Sequence, residues 1–170
     1  MRDFIDLIEN YAMTSYERVA IIEGERKISY GDFFTLCTSI SNQLSLLNDR
    51  PRVLIDLNQG IDAYALIIAT TNVGGIFCPL NPDAPIERKK QILNEFRPDI
   101  IVVKRGTQFL QSDHPNIVLI DTLVKGKDVT TVNKVLDQEE TIYIIYTSGS
   151  TGMPKGVKVC RKALNKFLDW

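Results

Sequence analysis

The run Tyr146-Thr-Ser-Gly-Ser-Thr-Gly-Met-Pro-Lys-Gly-Val157 places two serines, two threonines, three glycines and one lysine in twelve residues. It follows directly on the apolar stretch Thr141-Ile-Tyr-Ile-Ile-Tyr146. Such a composition suits one chemistry above others, the holding of a phosphate chain. Glycines let backbone N–H groups approach an anion, hydroxyls add further donors, and a lysine adds positive charge. The expected anion-binding set is Thr147, Ser148, Gly149, Ser150, Thr151, Gly152 and Lys155. The order of residues differs from the common nucleotide P-loop, which needs Gly, four residues and then Gly-Lys-Ser/Thr. Here Lys155 follows Pro154 and precedes Gly156. The competing reading is a plain glycine-rich surface hairpin, which has little need for so many hydroxyls. Such a segment has few apolar contacts of its own, so mobility of residues 147–155 without ligand is expected.

The elements that must position this loop follow from hydrophobic spacing. Phe4, Leu7, Ile8 and Tyr11 form an i, i+3, i+4, i+7 stripe, which predicts a helix over 3–13. Residues 18–23 and 27–29 read as short strands around a turn at Gly24. Ser29 and Asp32 then resemble a capping box opening a long helix, with Phe33, Cys37, Ile40, Leu44 and Leu47 on one face. A strand at 52–57, a helix at 61–72, a strand near 76–80 and a helix carrying Ile86, Leu93 and Phe96 inward come next. Apolar strands at 99–103 and 116–120 precede a polar, weakly patterned stretch over 121–140. Strands at 141–146 and 157–159 flank the loop, and a last helix begins near Arg161. Alternating strands and helices predict an α/β fold, a largely parallel sheet flanked by helices. Such sheets bind ligands beyond the carboxyl ends of their strands, where the 147–155 loop is expected.

Composition bounds the function. With 170 residues, 44% hydrophobic and 24% charged, the chain has the balance of one globular domain. A net charge of −1 argues against a nucleic-acid stripe or a polybasic membrane patch. Apolar runs are far shorter than a membrane span, and Met1-Arg-Asp-Phe-Ile-Asp lacks the pattern of a signal peptide, so a cytoplasmic location is expected. Cys37, Cys78 and Cys160 are odd in number and widely spaced, which speaks against disulfides and zinc; Cys37 and Cys78 read as core. His114 lies in a polar, proline-containing stretch and reads as solvated. Tyr30 and Asp32 read as a helix start, and Pro79, Pro82 and Pro85 as turn stiffeners. Arg88-Lys89-Lys90 reads as a solvated helix face.

Three segments in order carry a family resemblance. The loop resembles the phosphate loop of adenylate-forming enzymes. Ile28-Ser-Tyr-Gly-Asp-Phe-Phe34 resembles that superfamily's opening signature. Asn72-Val-Gly-Gly-Ile-Phe-Cys-Pro-Leu-Asn-Pro82 with Ala84-Pro-Ile-Glu-Arg88 resembles its second. The resemblance spans about residues 28–170 and is nearest to D-alanine–carrier-protein ligases and peptide-synthetase adenylation domains. Many relatives carry a histidine where Arg161 stands, a departure shared with the D-alanine ligases. The resemblance implies ATP as substrate, an amino acid or other carboxylate as co-substrate, Mg2+, and a carrier-protein thiol as acceptor. It also implies a longer parent, whose further part would hold the metal, adenine, ribose and substrate residues. The 170 residues then form a single N-terminal subdomain, inactive alone, with an exposed apolar face through which it self-associates. An acyl-CoA synthetase fragment, a non-catalytic nucleotide-binding module and a scaffold domain are the alternatives.

Overall fold

Local capping rules explain where the first elements begin. Helix α1 (Phe4–Thr14) starts at Asp3, whose Oδ1 accepts the Ile5 N–H at 3.1 Å while the Asp6 carboxylate accepts the Asp3 N–H at 3.2 Å. This is a complete capping box. Strands β1 (Val19–Glu23) and β2 (Arg26–Ser29) form an antiparallel pair turned at Gly24, whose φ of +58° favours glycine. Helix α2 (Tyr30–Leu47) begins at Ser29, whose hydroxyl accepts the Asp32 N–H at 3.1 Å and donates to the Asp32 carboxylate at 2.9 Å. Tyr30 stacks on Tyr11 with ring centroids 5.0 Å apart, so the helix-start reading of Tyr30 and Asp32 holds.

The computed structural model describes residues 3–107, 116–125, 136–148 and 153–168. Its main sheet contains β3 (Arg52–Asp56), β4 (Ile76–Pro79), β5 (Ile100–Val103), β6 (Ile117–Leu119), β7 (Thr141–Ser148) and β8 (Pro154–Cys160). Their spatial order is β6-β5-β3-β4-β7-β8. Every neighbouring pair is parallel except β7–β8, which is antiparallel. The helices between are α3 (Ile61–Asn72), α4 (Ile86–Phe96), α5 (Ile120–Val124) and α6 (Arg161–Leu168). The α/β sheet flanked by helices is therefore the observed architecture.

The period-2 alternation of strands sorts the core into two halves. Val53, Ile55, Phe77, Ile100 and Val102 face Phe33, Cys37, Ile40 and Leu44 of α2, Leu66 and Ala69 of α3, and Ile120 and Leu123 of α5. Leu54, Cys78, Ile101, Val103 and Ile144 face Ile92 and Phe96 of α4. β3 and β5 are buried on both sides, which is why they read as unbroken apolar runs.

Three differences from the sequence reading have physical causes. The apolar stripe of α2 predicts Leu47 inside, but the last turn of the helix runs past the elements that cover the rest, leaving Leu46 76% and Leu47 56% exposed. Helix α5 falls in the stretch read as unpatterned; five residues with only Ile120 and Leu123 buried are too few to show a period. On α4 the deepest side chains are Lys89, Ile92 and Phe96, while Ile86 and Leu93 are only half-buried. His114 lies outside the described residues.

Cys37 and Cys78 are core residues, as expected, and all three cysteines are free. Burial pushes the Cys78 thiol from 9.0 to about 12, and it raises Cys37 as well. The folded state thus favours the neutral thiols. That contribution is intact below the unfolded thiol pKa and is lost as pH rises toward the folded value. Urea denaturation should therefore show stability constant to pH 8 and falling above 9, by up to ~1.4 kcal/mol per pH unit per thiol. A Cys78→Ala chain that falls just as steeply would refute the assignment.

Candidate functional site

β7 is anchored before it reaches the site. Ile142 and Ile144 are buried, and Tyr143 packs on Phe77 of β4 with ring centroids 5.3 Å apart. Because β7 is parallel to β4, its carboxyl end emerges beside that of β4. This is the edge at which open parallel sheets place ligands. The strand runs to Ser148, two residues past the expected end, and β8 starts at Pro154, three residues before the expected start. Thr147, Ser148 and Lys155 are thus strand residues at the mouth of a hairpin. The glycine-rich segment is a hairpin in topology; its chemistry lies in what the mouth presents.

The register fixes that presentation. Thr147 lies opposite Lys155, and Ser148 opposite Pro154. Cross-strand partners share a face, with Cβ atoms ~5 Å apart, so the Thr147 hydroxyl and the Lys155 stem rise together while Ser148 points to the other face. All three are exposed. Gly149, Ser150, Thr151 and Gly152 lie outside the described residues, as does the part of the mobility expectation that falls on them.

Gly156 has a steric reason. It lies opposite Tyr146, and a Cβ there would meet Ile144 Cγ2 at 2.9 Å and the Tyr146 ring at 3.2 Å. The ring covers bare backbone, and desolvation is the main cause that raises the Tyr146 hydroxyl pKa. Gly156→Ala should destabilise the chain by roughly 1–3 kcal/mol, the range for overpacking. An unchanged denaturation midpoint would show that the ring moves aside freely.

Two buried cations were missed or misread. Lys89 belongs to a basic run expected to face solvent, but it is 4% exposed. Its Nζ donates to both Asp56 carboxylate oxygens at 2.8 and 3.1 Å and to the Pro82 carbonyl at 2.7 Å. Thr107 Oγ1 donates to the same carboxylate at 3.0 Å. One ion pair thereby ties together the segments after β3, β4 and β5. The reading holds for Lys90, which is exposed and paired with Glu87 at 3.1 Å. The signal that could have exposed Lys89 is its place three residues before Ile92 and seven before Phe96, on the apolar stripe of α4.

Arg161 is 1% exposed and lies at the opposite end of the hairpin from Lys155. It donates to Asp3 Oδ2 at 2.6 Å and to the Thr71 carbonyl at 2.7 Å. Asn165, one turn on, accepts the Phe4 N–H at 3.2 Å. These contacts fasten α1 and α3 to the end of β8, so Arg161 holds the hairpin's base and is remote from its mouth. Pro79 is the last residue of β4, paired with Ile55, so the turn reading does not apply to it, while Pro85 occupies the N-cap position of α4. Among the described residues no cluster of His, Cys, Asp and Glu could hold a metal ion, and no helix is long and apolar enough to cross a membrane.

The family described as AMP-binding enzyme matches residues 8–168. The chain is 29% identical over 174 residues to the D-alanine--D-alanyl carrier protein ligase of Staphylococcus haemolyticus, across 100% of this chain and 34% of that protein. It thus spans about a third of the ligase's length. It is 27% identical over 168 residues to tyrocidine synthase 3 of Brevibacillus parabrevis, across 96% of this chain and 3% of that protein. Among solved structures, the NpsA N-terminal subdomain of Klebsiella oxytoca in complex with 3-hydroxyanthranilyl-AMSN superposes with a TM-score of 0.81 at 22% identity. That match covers 95% of this chain and 41% of the other.

Proposed function

Since this chain belongs to the AMP-binding enzyme family, we propose that it is the N-terminal, phosphate-loop part of an ATP-dependent ligase that adenylates an amino acid. The observation that carries the reading is the hairpin mouth, where Lys155 and Thr147 stand opposed at the ligand-binding edge of the sheet. In the reaction, a carboxylate oxygen attacks the α-phosphorus of ATP. An oxygen–phosphorus bond forms, the bond from the α-phosphorus to the oxygen bridging to the β-phosphate breaks, and pyrophosphate leaves with the electron pair. Negative charge grows on the leaving group. Lys155 and the Thr147 hydroxyl, which share a face, with the hydroxyls of Ser150 and Thr151 and N–H groups around Gly149 and Gly152, would hold the β- and γ-phosphates, and Ser148, on the other face of the strand, would contribute through its backbone N–H. They act by positioning and by stabilising that charge. A carrier-protein thiol, an acceptor suggested by the ligase relatives, then attacks the acyl carbonyl. The thioester C–S bond forms, the C–O bond to the phosphate breaks, AMP leaves with the electron pair and the thiol proton is lost to solvent. Mg2+ accompanies ATP in such chemistry, but the described residues offer it no site of their own.

Titration of the purified chain with ATP and with inorganic tripolyphosphate tests the reading. Saturable, salt-sensitive binding that Lys155→Ala weakens is expected. Pyrophosphate exchange at the no-protein background is expected as well. Absence of binding to either anion would favour a scaffold domain.

The same hairpin presents an apolar strip. Ile145 and Val157 are cross-strand partners, 45% and 51% exposed, and Phe167 on α6 is 73% exposed. Uncovered apolar surface of this kind associates. Self-association through it is part of the proposal, and light scattering that shows a monomer at high concentration would refute that part.

A further inference from the structure

We propose that the cleft between the carboxyl ends of β3 and β4 is a second small-molecule site, for an uncharged ligand with an apolar body and a carboxamide or hydroxyl group. It is separate from the phosphate-binding hairpin and does not rest on the adenylation reading.

Topology makes the cleft. α3, which follows β3, packs on one face of the sheet, and α4, which follows β4, packs on the other. Adjacent parallel strands whose helices diverge in this way leave a crevice at their carboxyl ends. Here the crevice is a cavity of about 520 Å³. That volume lies within the ~300–1,000 Å³ usual for ligand sites.

The lining specifies the chemistry. Ile55 and Leu80 are buried and Ile67 half-buried, which gives an apolar floor. Asn58, Gln59 and Asn81 are exposed and supply carboxamides at the mouth. Tyr64, 40% exposed on α3, adds an aromatic wall. No charged side chain lines the cavity among the described residues. A charged ligand would lose hydration there and gain no counterion. A neutral amide or hydroxyl can both give to and take from the carboxamides at the mouth.

The walls are fixed before any ligand arrives. The Leu80 N–H donates to the Ile55 carbonyl at 2.8 Å, which joins the two strand ends. Asn81 Oδ1 accepts the Asp83 N–H at 3.0 Å. The Lys89 ammonium holds the Pro82 carbonyl at 2.7 Å from behind. The buried ion pair of Lys89 and Asp56 therefore sets the wall of a cavity that it does not itself line. Preorganisation of this kind lowers the ordering cost of binding.

Benzamide is a suitable probe, with benzoate and benzylamine as charged isosteres. Backbone amide NMR of the whole chain should show saturable benzamide shifts confined to Asn58, Gln59, Tyr64, Leu80 and Asn81. A dissociation constant on the order of millimolar is expected for so small a ligand. Benzoate and benzylamine should bind at least roughly fivefold more weakly. Ile67→Trp should block the cavity and abolish the shifts. Tyr64→Ala, on the exposed side of α3, should weaken benzamide about threefold or more without touching the core. Scattered or non-saturating shifts, equal binding of benzoate, or full retention of binding in Tyr64→Ala would each overturn the assignment. ATP binding at the hairpin should be the same in Tyr64→Ala, so the two sites fail independently.

Discussion

Lys155→Ala in a full-length adenylating enzyme that carries this segment should lower the adenylation rate about 10- to 150-fold. That factor corresponds to the ~1.5–3 kcal/mol of one charge-assisted hydrogen bond. The residue is exposed near the start of β8 and stands opposite Thr147. It therefore contributes little to the core, and the stability should stay within ~0.5 kcal/mol of the parent, as for ordinary surface changes. Rate loss without stability loss is the signature of a group whose partner arrives with the substrate. Lys155→Arg should recover only part of the rate, because a planar fork replaces a compact point charge. Pyrophosphate exchange measured against ATP concentration would separate binding from chemistry. A Lys155→Ala enzyme with unchanged exchange would remove the lysine from the reacting ATP and reduce the hairpin to a structural turn.

How much of this is legible in the sequence depends on the kind of signal. The apolar runs Val53–Ile55 and Ile100–Val103 announce buried parallel strands, because burial on both faces leaves no room for alternation. The start of α2 is legible because capping is local, Ser29 and Asp32 sitting within one turn, whereas α1 is legible from its apolar stripe and its Asp3–Asp6 cap is seen only in the structure. The residue types at 147–155 point to an anion because nothing in a core needs them. The antiparallel return of β8 is harder, since the pairing of Thr147 with Lys155 is a property of two strands and not of either one. Arg161 and Lys89 are not legible as buried cations. Their partners lie 158 and 33 residues away in the chain, and a cation is ordinarily a surface residue. A lysine on the inner stripe of an amphipathic helix is ambiguous until its carboxylate is found.

That carboxylate makes the strongest stability prediction. The Asp56 side chain is fully buried, and Lys89 is its only cation among the ion pairs of the described residues. Lys89→Met should cost roughly 3–5 kcal/mol, because it strands a desolvated negative charge. For a domain of ordinary stability, ~5–15 kcal/mol, this is a large fraction of the whole. The double change Asp56→Leu with Lys89→Met removes both charges and fills similar volume with apolar groups. It should recover most of the loss and fall within about 1 kcal/mol of the parent, since buried pairs are often matched by hydrophobic replacements. The Pro82 carbonyl and the Thr107 hydroxyl would still lose a partner each, at 2.7 and 3.0 Å in the native chain. So the double variant should be stable yet looser where those two segments meet. Hydrogen exchange ought to rise at residues 80–85 and 104–107 and stay unchanged in β3 and β5. Equal losses in the single and double variants would mean that the pair stabilises by packing alone. Unchanged local exchange in the double variant would mean that the ion pair does not set the position of these segments.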